Sequence, residues 1–505
     1  MNLARQQHDA DVEKIRMEFL HSKGKDQPFT LNHALVSNTT RSSAYKRNTR
    51  RLSIDKLNRV LGIDTEKRLA WVEPRVTMQQ LLESVLPYGL MVPVMPEFKG
   101  ITVGGAIMGA AIESSSHRWG QFNDICTRYE ILLGNGALIT ASPEENSDLF
   151  YGISGSYGTL GLLMLVEIKL IPAGEGVNLF YHTYGTPADA ISAMGEMHRS
   201  LSPPDFLEGV VFSKNHTVVV EGRLEPKGRK SSEYTLALSH PSSPWFYQHI
   251  AGKAQEGRDV QDLISIPDYI FRHDRGAFWM GGYALHPSLL LRYGLEAFLR
   301  IPEKLLRKIW PMNRGSYSKL RYPGTIFRSF FGWAMSSEFL YSVLHFGTEK
   351  WFSEQFVIQD FYLPEKNASV FIAETLEHYG ITPIWLCPVK ATRQPQFLSP
   401  HYQKNSGEDP LLFDVGIYGM SGKEGEGSEG FGDSVLEITR HIEQRTNDLG
   451  GRKMFYSYSY CTPEEFWKVY SKVDYSRLRQ LYQAEGIWLS IEDKILFSDP
   501  NPIHH

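Results

Sequence analysis

From about residue 52 to 172, short apolar runs alternate with turns. RLAWVEPRV repeats apolar positions with a period near two and stops at Pro74, which predicts a strand. TMQQLLESVLPYGL spaces its apolar residues three and four apart behind Thr77, which predicts a capped helix. YEILLGNGALITAS is two β-rich runs around Gly134-Asn135-Gly136, a hairpin signal. SPEENSDLFYGIS predicts a helix with Ser142 as its cap and Pro143 in its first turn. GTLGLLMLVEIKLIP predicts a strand stopped by Pro172. Beyond about residue 173, strand-like runs such as LEGVVFS and HTVVVEGRL alternate with longer helical stretches. FYSYSYC places Tyr456, Tyr458 and Tyr460 two apart, which predicts a strand with all three rings on one face. Thr462-Pro463-Glu464-Glu465 then opens a helix, and the polar N-terminus predicts another. The pattern is that of an α+β protein, and no internal repeat is visible in it.

With 505 residues the chain has room for two or three domains. Lys+Arg total 53 against 57 for Asp+Glu, so the balance gives no reason to expect a nucleic-acid partner. One local exception, RSSAYKRNTRR from Arg41 to Arg51, reads either as a solvated loop or as a phosphate contact. The three cysteines are far apart, without metal-ligand spacing, so no disulfide scaffold and no metal site is expected. No signal peptide and no run of about 18 apolar residues is seen. A cytoplasmic protein, or one peripheral on the endoplasmic reticulum membrane, is therefore expected. LLLRYGLEAFLRIPEKLLRKIW, from Leu289 to Trp310, interleaves leucines with basic residues. Such a helix either lies on an anionic membrane surface or packs its leucines on the protein itself.

Two glycine-rich stretches invite a nucleotide reading. Gly425, Gly427 and Gly430 form a literal GxGxxG. Glu424, Glu426 and Glu429 crowd the same turn and would repel a diphosphate, so a mobile acidic loop is the expectation there. The other stretch, TVGGAIMGAAIESSS, starts at Thr102 and carries one formal charge, Glu113. Exposed amides at Gly104 and Gly105 and hydroxyls at 114–116 suit a flat anionic cofactor; tight packing would explain the small residues equally well.

Residues outside periodicity carry a resemblance. VEPRVTM, TVGGAIMGAAIESSSHRWG, ENSDLFY, FRHDRGAFW, VIQDFYLP, PIWLCP, DVGIYG and EEFWKVY occur in that order over nearly the whole chain. Together they resemble the Δ24-sterol reductase branch of the vanillyl-alcohol-oxidase-type (PCMH-type) FAD flavoproteins. That resemblance implies a PCMH-type FAD-binding domain of two α+β subdomains at 1–175. An α+β cap or substrate-binding domain would follow at 176–448, and 449–505 would return to the FAD domain. FAD would be held by Ser37, Asn38, Thr39 and Thr40 in one loop and Thr102, Val103, Gly104 and Gly105 in another. Gly109, Glu113, Ser114, Ser115, Ser116 and His117 would follow the ribityl chain and ring, with His117 either a flavin neighbour or a structural residue. Gly158, Thr159, Gly161 and Ile168 would close the other side. Some related flavoproteins tether the flavin to a histidine of the first loop; SNTTRSSAYK has none, so non-covalent FAD is expected. Met280 and Tyr458 depart from the pattern, where an acidic residue and an aspartate are expected.

The implied reaction is NADPH-dependent reduction of a side-chain double bond in a sterol or related isoprenoid. Such an alkene needs a proton donor on one carbon and a hydride on the other. Tyr456, Tyr460 and His273 are the candidate acids, and Asp360 is a further candidate that would orient the acid. Arg272 and Arg275 are placed to hold a nucleotide phosphate or a substrate oxygen, and Tyr458 belongs with the substrate side. Two other functions fit the same fold: a flavin-dependent alcohol oxidase or dehydrogenase, and a flavin-binding protein that acts through partners.

Overall fold

Two antiparallel sheets organise the chain in this computed structural model. It describes residues 2–22, 27–32, 38–41, 43–226, 234–240, 242–256, 261–284, 323–345, 355–403, 410–420 and 434–497. Ser37, the stretch from Leu289 to Trp310 and the GxGxxG at 425–430 lie outside the described residues.

The smaller sheet runs Val60–Asp64, Leu69–Val72, Leu162–Lys169, Cys126–Leu132, Leu138–Ala141. Gly134-Asn135-Gly136 turns the last pair, as their sequence predicts. Helix Met78–Val85 opens on a capping box in which Thr77 Oγ1 accepts from Gln80 N–H and Gln80 Oε1 accepts from Thr77 N–H. The helix predicted from Ser142 starts later, at Ser147. Ser142 Oγ accepts the amides of both Glu144 and Glu145, and this local turn uses up the residues a helix would need.

Among the described residues the larger sheet has eight strands. It is built from two βαββ halves: Gly176–Tyr184, helix Pro187–Arg199, Phe206–Ser213 and His216–Glu225; then Val357–Pro364, helix Glu365–His378, Ile384–Lys390 and Leu411–Gly419. The halves meet where Gly209, Val210 and Val211 pair with Leu386, Trp385 and Ile384. Strands Gln261–Ser265 and Arg452–Lys453 close the two edges. Alternation divides the side chains between faces. Leu207, Val211, Phe361, Leu363, Leu386, Phe413 and Val415 meet the two crossing helices and Val435–Asp448. Phe206, Val210, Tyr362, Trp385, Cys387 and Tyr418 turn the other way, into a core shared with the first unit.

Beyond the edge strand Arg452–Lys453 the chain packs back on the first unit, where Arg479 and Lys494 donate to the carbonyls of Thr159 and Tyr157. Trp488 stacks on Phe19 (5.3 Å between centroids) in a core with Phe29, Leu52, Leu132 and Met164. The N-terminal helix Asn2–Ser22 is held there by polar contacts too. His8 Nδ1 lies 2.8 Å from Glu73 and its Nε2 3.5 Å from Glu130, while Arg59 bridges Asp11 and Glu73. The tyrosine-rich segment is not the predicted strand: after Lys453 the backbone turns, and the alternation of Tyr456, Tyr458 and Tyr460 no longer points them one way. Among the described residues no helix is long and apolar enough to cross a membrane.

Candidate cofactor and substrate cavity

A cavity of about 570 Å³ lies between the first unit and the inner face of the large sheet. Its two ends differ in chemistry. One is lined by Asn38, Thr39, Thr40, Arg41, Lys46, Gly104, Gly105, Gly158 and Lys494. Arg41 is 4% exposed, its Nε has no hydrogen-bond partner among the described residues, and its guanidinium lies 4.7 Å from the Tyr157 ring centroid. No carboxylate pairs with Arg41 or Lys494 among the described residues. A buried guanidinium with a free N–H and no counter-ion is a site for an anion, and the diphosphate of FAD supplies one. Three of these residues, Arg41, Lys46 and Lys494, were not singled out as cofactor ligands from sequence. The basic run RSSAYKRNTRR carried a signal for the first two; Lys494 had none.

The glycines of TVGGAIMGAAIESSS work differently from the expectation. Gly104 N–H donates to Pro74 O at 2.9 Å, and Gly105 N–H donates to Thr102 Oγ1 at 3.2 Å, so neither amide is free to form an anion nest. Helix Val103–Met108 instead lies against the Pro74 segment: a Cβ on Gly104 would stand 3.0 Å from Pro74 Cβ. Thr102, Gly104, Gly105 and Gly109 face the cavity, while Val103 turns into the core. Glu113, Ser114, Ser115, Ser116 and His117 do not line it. Ser115 Oγ donates to Pro93 O, and Ser116 Oγ accepts from Glu113 N–H. Both ring nitrogens of His117 face carbonyls, those of Ser114 and Pro204. Burial pulls its pKa down to about 4, so the ring is neutral and serves one of the two. Gly158 reaches the cavity; Thr159, Gly161 and Ile168 are packed behind it.

The other end is apolar. Phe98, Phe278, Met280, Met335, Leu340, Phe356, Ile358 and Trp385 line it. Into this wall project Asp360, Tyr418 and Tyr456. Asp360 lies opposite Gly416 across the sheet, and Tyr418 is two residues further on the same face. Tyr418 donates to Asp360 Oδ1 at 2.6 Å. The buried Tyr456 hydroxyl faces the same carboxylate without completing a hydrogen bond of its own. Burial raises Asp360 to about 6, against the hydrogen bonds that lower it. Asp414, next on that face, is fully buried, neither oxygen meets a partner at full hydrogen-bond geometry among the described residues, and burial, then the neighbouring Asp360, pushes it well above the carboxylate range. Both carboxyls of the pair are thus pushed upward, Asp414 further than Asp360. Glu97 also borders the cavity and is raised by burial and by Glu113.

FRHDRGAFW sits behind the wall rather than in it. Arg272 bridges Glu208 (2.7 Å) and Glu113 (2.5 Å), and His273 Nε2 lies 2.9 Å from Glu208. Glu208 Oε2 also accepts from Trp385 Nε1; burial opposes charge on Glu208, but Arg272 and the hydrogen bond from His273 outweigh it and hold the carboxyl far below its usual range. Arg275 donates to the carbonyls of Leu238 and His240. Arg272 and Arg275 are held by protein partners, His273 is held through Nε2 while its Nδ1 has no hydrogen-bond partner among the described residues, and none of the three lines the cavity. What the segment presents is Phe278. Gly276, Ala277 and Phe278 have φ of 83°, 43° and 63°. A bulky residue in that region is an outlier sustained by its surroundings. Trp279 Nε1 donating to Tyr418 O and the His273 ring stacked 4.2 Å from Phe278 are those surroundings. Met280, the departure from pattern, lines the cavity. Tyr458 and Tyr460 face away from it and pack on Phe497 at 5.4 and 5.1 Å. Among the described residues no group of three or more potential ligands could hold a metal.

Comparison with known proteins bears on the same residues. Residues 33–142 match the family model of the FAD binding domain. The chain is 29% identical over 493 residues to the Delta(24)-sterol reductase of Homo sapiens, covering 97% of this chain and 86% of that one. It is also 29% identical over 514 residues to the Delta(24)-sterol reductase of Arabidopsis thaliana, covering 96% of this chain and 84% of that protein. A decaprenylphosphoryl-beta-D-ribose oxidase of Mycolicibacterium smegmatis is 37% identical over 118 residues, 23% of this chain and 25% of that one. With a cavity basic at one end and apolar at the other, the chain carries a match to the FAD binding domain and is similar over nearly its whole length to Delta(24)-sterol reductases.

Proposed function

We propose that this protein reduces a side-chain carbon–carbon double bond of a sterol or related isoprenoid, of Δ24 type, at the expense of NADPH. The observation that carries this reading is a single cavity in which the residues for an anionic cofactor and an apolar chamber with one acid cluster adjoin. Bound FAD, reduced by NADPH, supplies the hydride to one alkene carbon. The chain's own residues do the rest. Asn38, Thr39, Thr40, Arg41 and Lys494 hold the cofactor without a covalent tether; no histidine or cysteine is among the described lining residues. Phe278, Phe98, Ile358 and Trp385 exclude water and hold the isoprenoid chain. Asp360, with Tyr418 and Tyr456 against it, delivers the proton to the more substituted carbon's neighbour, and the aromatic faces stabilise positive charge that develops meanwhile.

Access to a water-insoluble substrate supports peripheral membrane contact, with the endoplasmic reticulum surface as the cellular location. Ile326, Phe330 and Phe331 are more than half exposed, and Phe339 and Val343 are both exposed and part of the cavity lining. Phe339 and Val343 thus carry apolar surface from the outside of the protein into the cavity.

The test is anaerobic. Mixed with NADPH, the purified protein should lose its visible flavin absorbance, and a Δ24-unsaturated sterol should restore it. Bleaching by an alcohol and not by NADPH would favour the alcohol-oxidising alternative, which the partial match to the ribose oxidase keeps in view. Flavin untouched by any reductant would favour the non-catalytic one.

A further inference from the structure

Lys494 comes from the short helix Ile491–Ile495, more than three hundred residues from the other groups at the basic end of the cavity. It is buried, and among the described residues its side chain hydrogen-bonds from Nζ to the carbonyl of Tyr157 at 2.8 Å. Arg41 reciprocates: its Nη1 donates to the backbone carbonyl of Lys494 at 2.5 Å. Arg41 Nε, on the same guanidinium, has no hydrogen-bond partner among the described residues. Gly158 lies beside the ammonium: a Cβ there would be in van der Waals contact with Nζ at 3.7 Å and with Met108 Sδ at 3.5 Å.

The charges around Lys494 are of one sign. Arg41 faces it from the loop before helix Ser43–Lys46, Lys46 from that helix, and Arg479 from helix Lys472–Leu481. Arg479 is occupied by the carbonyls of Thr159, Ala484, Trp488 and Leu489. The carboxylates of its own helix are engaged elsewhere: Glu492 accepts from Trp467 Nε1, and Asp493 accepts from Ser490. Tyr157, the remaining neighbour, offers a carbonyl and a ring stacked under Arg41. Burial, then the repulsion of Arg41, Lys46 and Arg479, lowers Lys494 to about 7.

Resting on the FAD reading above, we propose that Lys494 and Arg41 form one clamp on the cofactor's diphosphate, so that binding draws a proton onto Lys494. An anion placed between two unpaired cations cancels the repulsion that keeps the amine neutral. The clamp also joins the C-terminal helix to the loop at 38–41, so cofactor binding and closure of the first unit become one event.

The test is calorimetric titration of the FAD-free protein with FAD, in two buffers of different ionisation enthalpy. At pH 8 the wild-type protein should take up about one proton per FAD, and at pH 6, where the lysine already carries its proton, close to none. Lys494→Arg should bind FAD with affinity near wild type and take up no proton, because arginine stays charged. Lys494→Met should lose at least about tenfold in affinity and also take up none. FAD binding by the wild-type chain with heats independent of buffer at pH 8 overturns the proposal while leaving the FAD reading intact. Equal affinity of Lys494→Met overturns it as well. A wild-type chain that takes up no FAD at all overturns both.

Discussion

A Cβ on Gly416 would stand 2.4 Å from the Tyr418 hydroxyl and 2.7 Å from Asp360 Oδ1. The glycine is what allows carboxyl and phenol to meet across it. Gly416→Ala should therefore lower turnover of a Δ24 sterol by about tenfold or more at unchanged FAD content, which flavin absorbance and steady-state rates would separate. Removing the acid itself should cost more: Asp360→Asn is expected to lower kcat by about 10²–10⁴. The sign of the pH dependence follows from Asp360 at about 6. The acid form donates, so kcat should fall as pH rises through that value; a rate rising over the same interval would remove Asp360 from the role. At this scale the sequence was partly legible. Asp360 and Tyr456 could be nominated because carboxyls and phenols are the residues that donate protons. Tyr418 could not be chosen among 25 tyrosines, because its partner is 58 positions away and only strand register joins them.

Elements carry the second set of consequences. The FRHDRGAFW segment reads, by residue type, as a set of ligand-binding groups. In the fold its charges are consumed by Glu208, Glu113 and backbone carbonyls, which only tertiary structure could reveal. Arg272→Met leaves two buried carboxylates without a counter-charge. A loss of about 3–5 kcal/mol in unfolding free energy is expected, measurable by denaturant titration. The N-terminal helix is docked through His8. Burial opposes charge on that ring, but Glu130 and Glu73 outweigh it and raise the pKa. A raised histidine contributes stability that is complete below its ordinary value near 6.5 and is lost as pH rises through the folded value. The thermal midpoint should therefore drop between pH 6 and pH 9 more in the wild type than in His8→Gln; equal slopes would show that the contact is not a charged one. The helix starting at Thr77 was predictable, since its capping box is local. The one expected from Ser142 was not, because the same side chain caps a turn as readily as a helix.

For the whole molecule, α+β character, the glycine-lined wall and the flavoprotein resemblance were all open to a reader of the sequence. The two βαββ halves were not, although they build the large sheet. The halves share a pattern of alternation and a crossing helix rather than residues, and alternation is too common to announce a repeat. The exposed apolar side chains near the mouth of the cavity belong to this scale too. Replacing Phe330 and Phe331 together by Glu should reduce sedimentation with phospholipid vesicles by several-fold and leave flavin content unchanged. Undiminished sedimentation would place membrane contact elsewhere.

Trp488 lies between Phe19 and Phe29, and the strand Leu162–Lys169 shares that core with it. During translation, then, the first 175 residues leave the ribosome with an apolar groove that nothing can fill for some three hundred further codons. At the elongation rates of roughly 5–20 residues per second this interval lasts tens of seconds. A fragment ending near residue 175 should accordingly bind hydrophobic dyes and aggregate, and recover solubility when supplied in trans with residues 449–497.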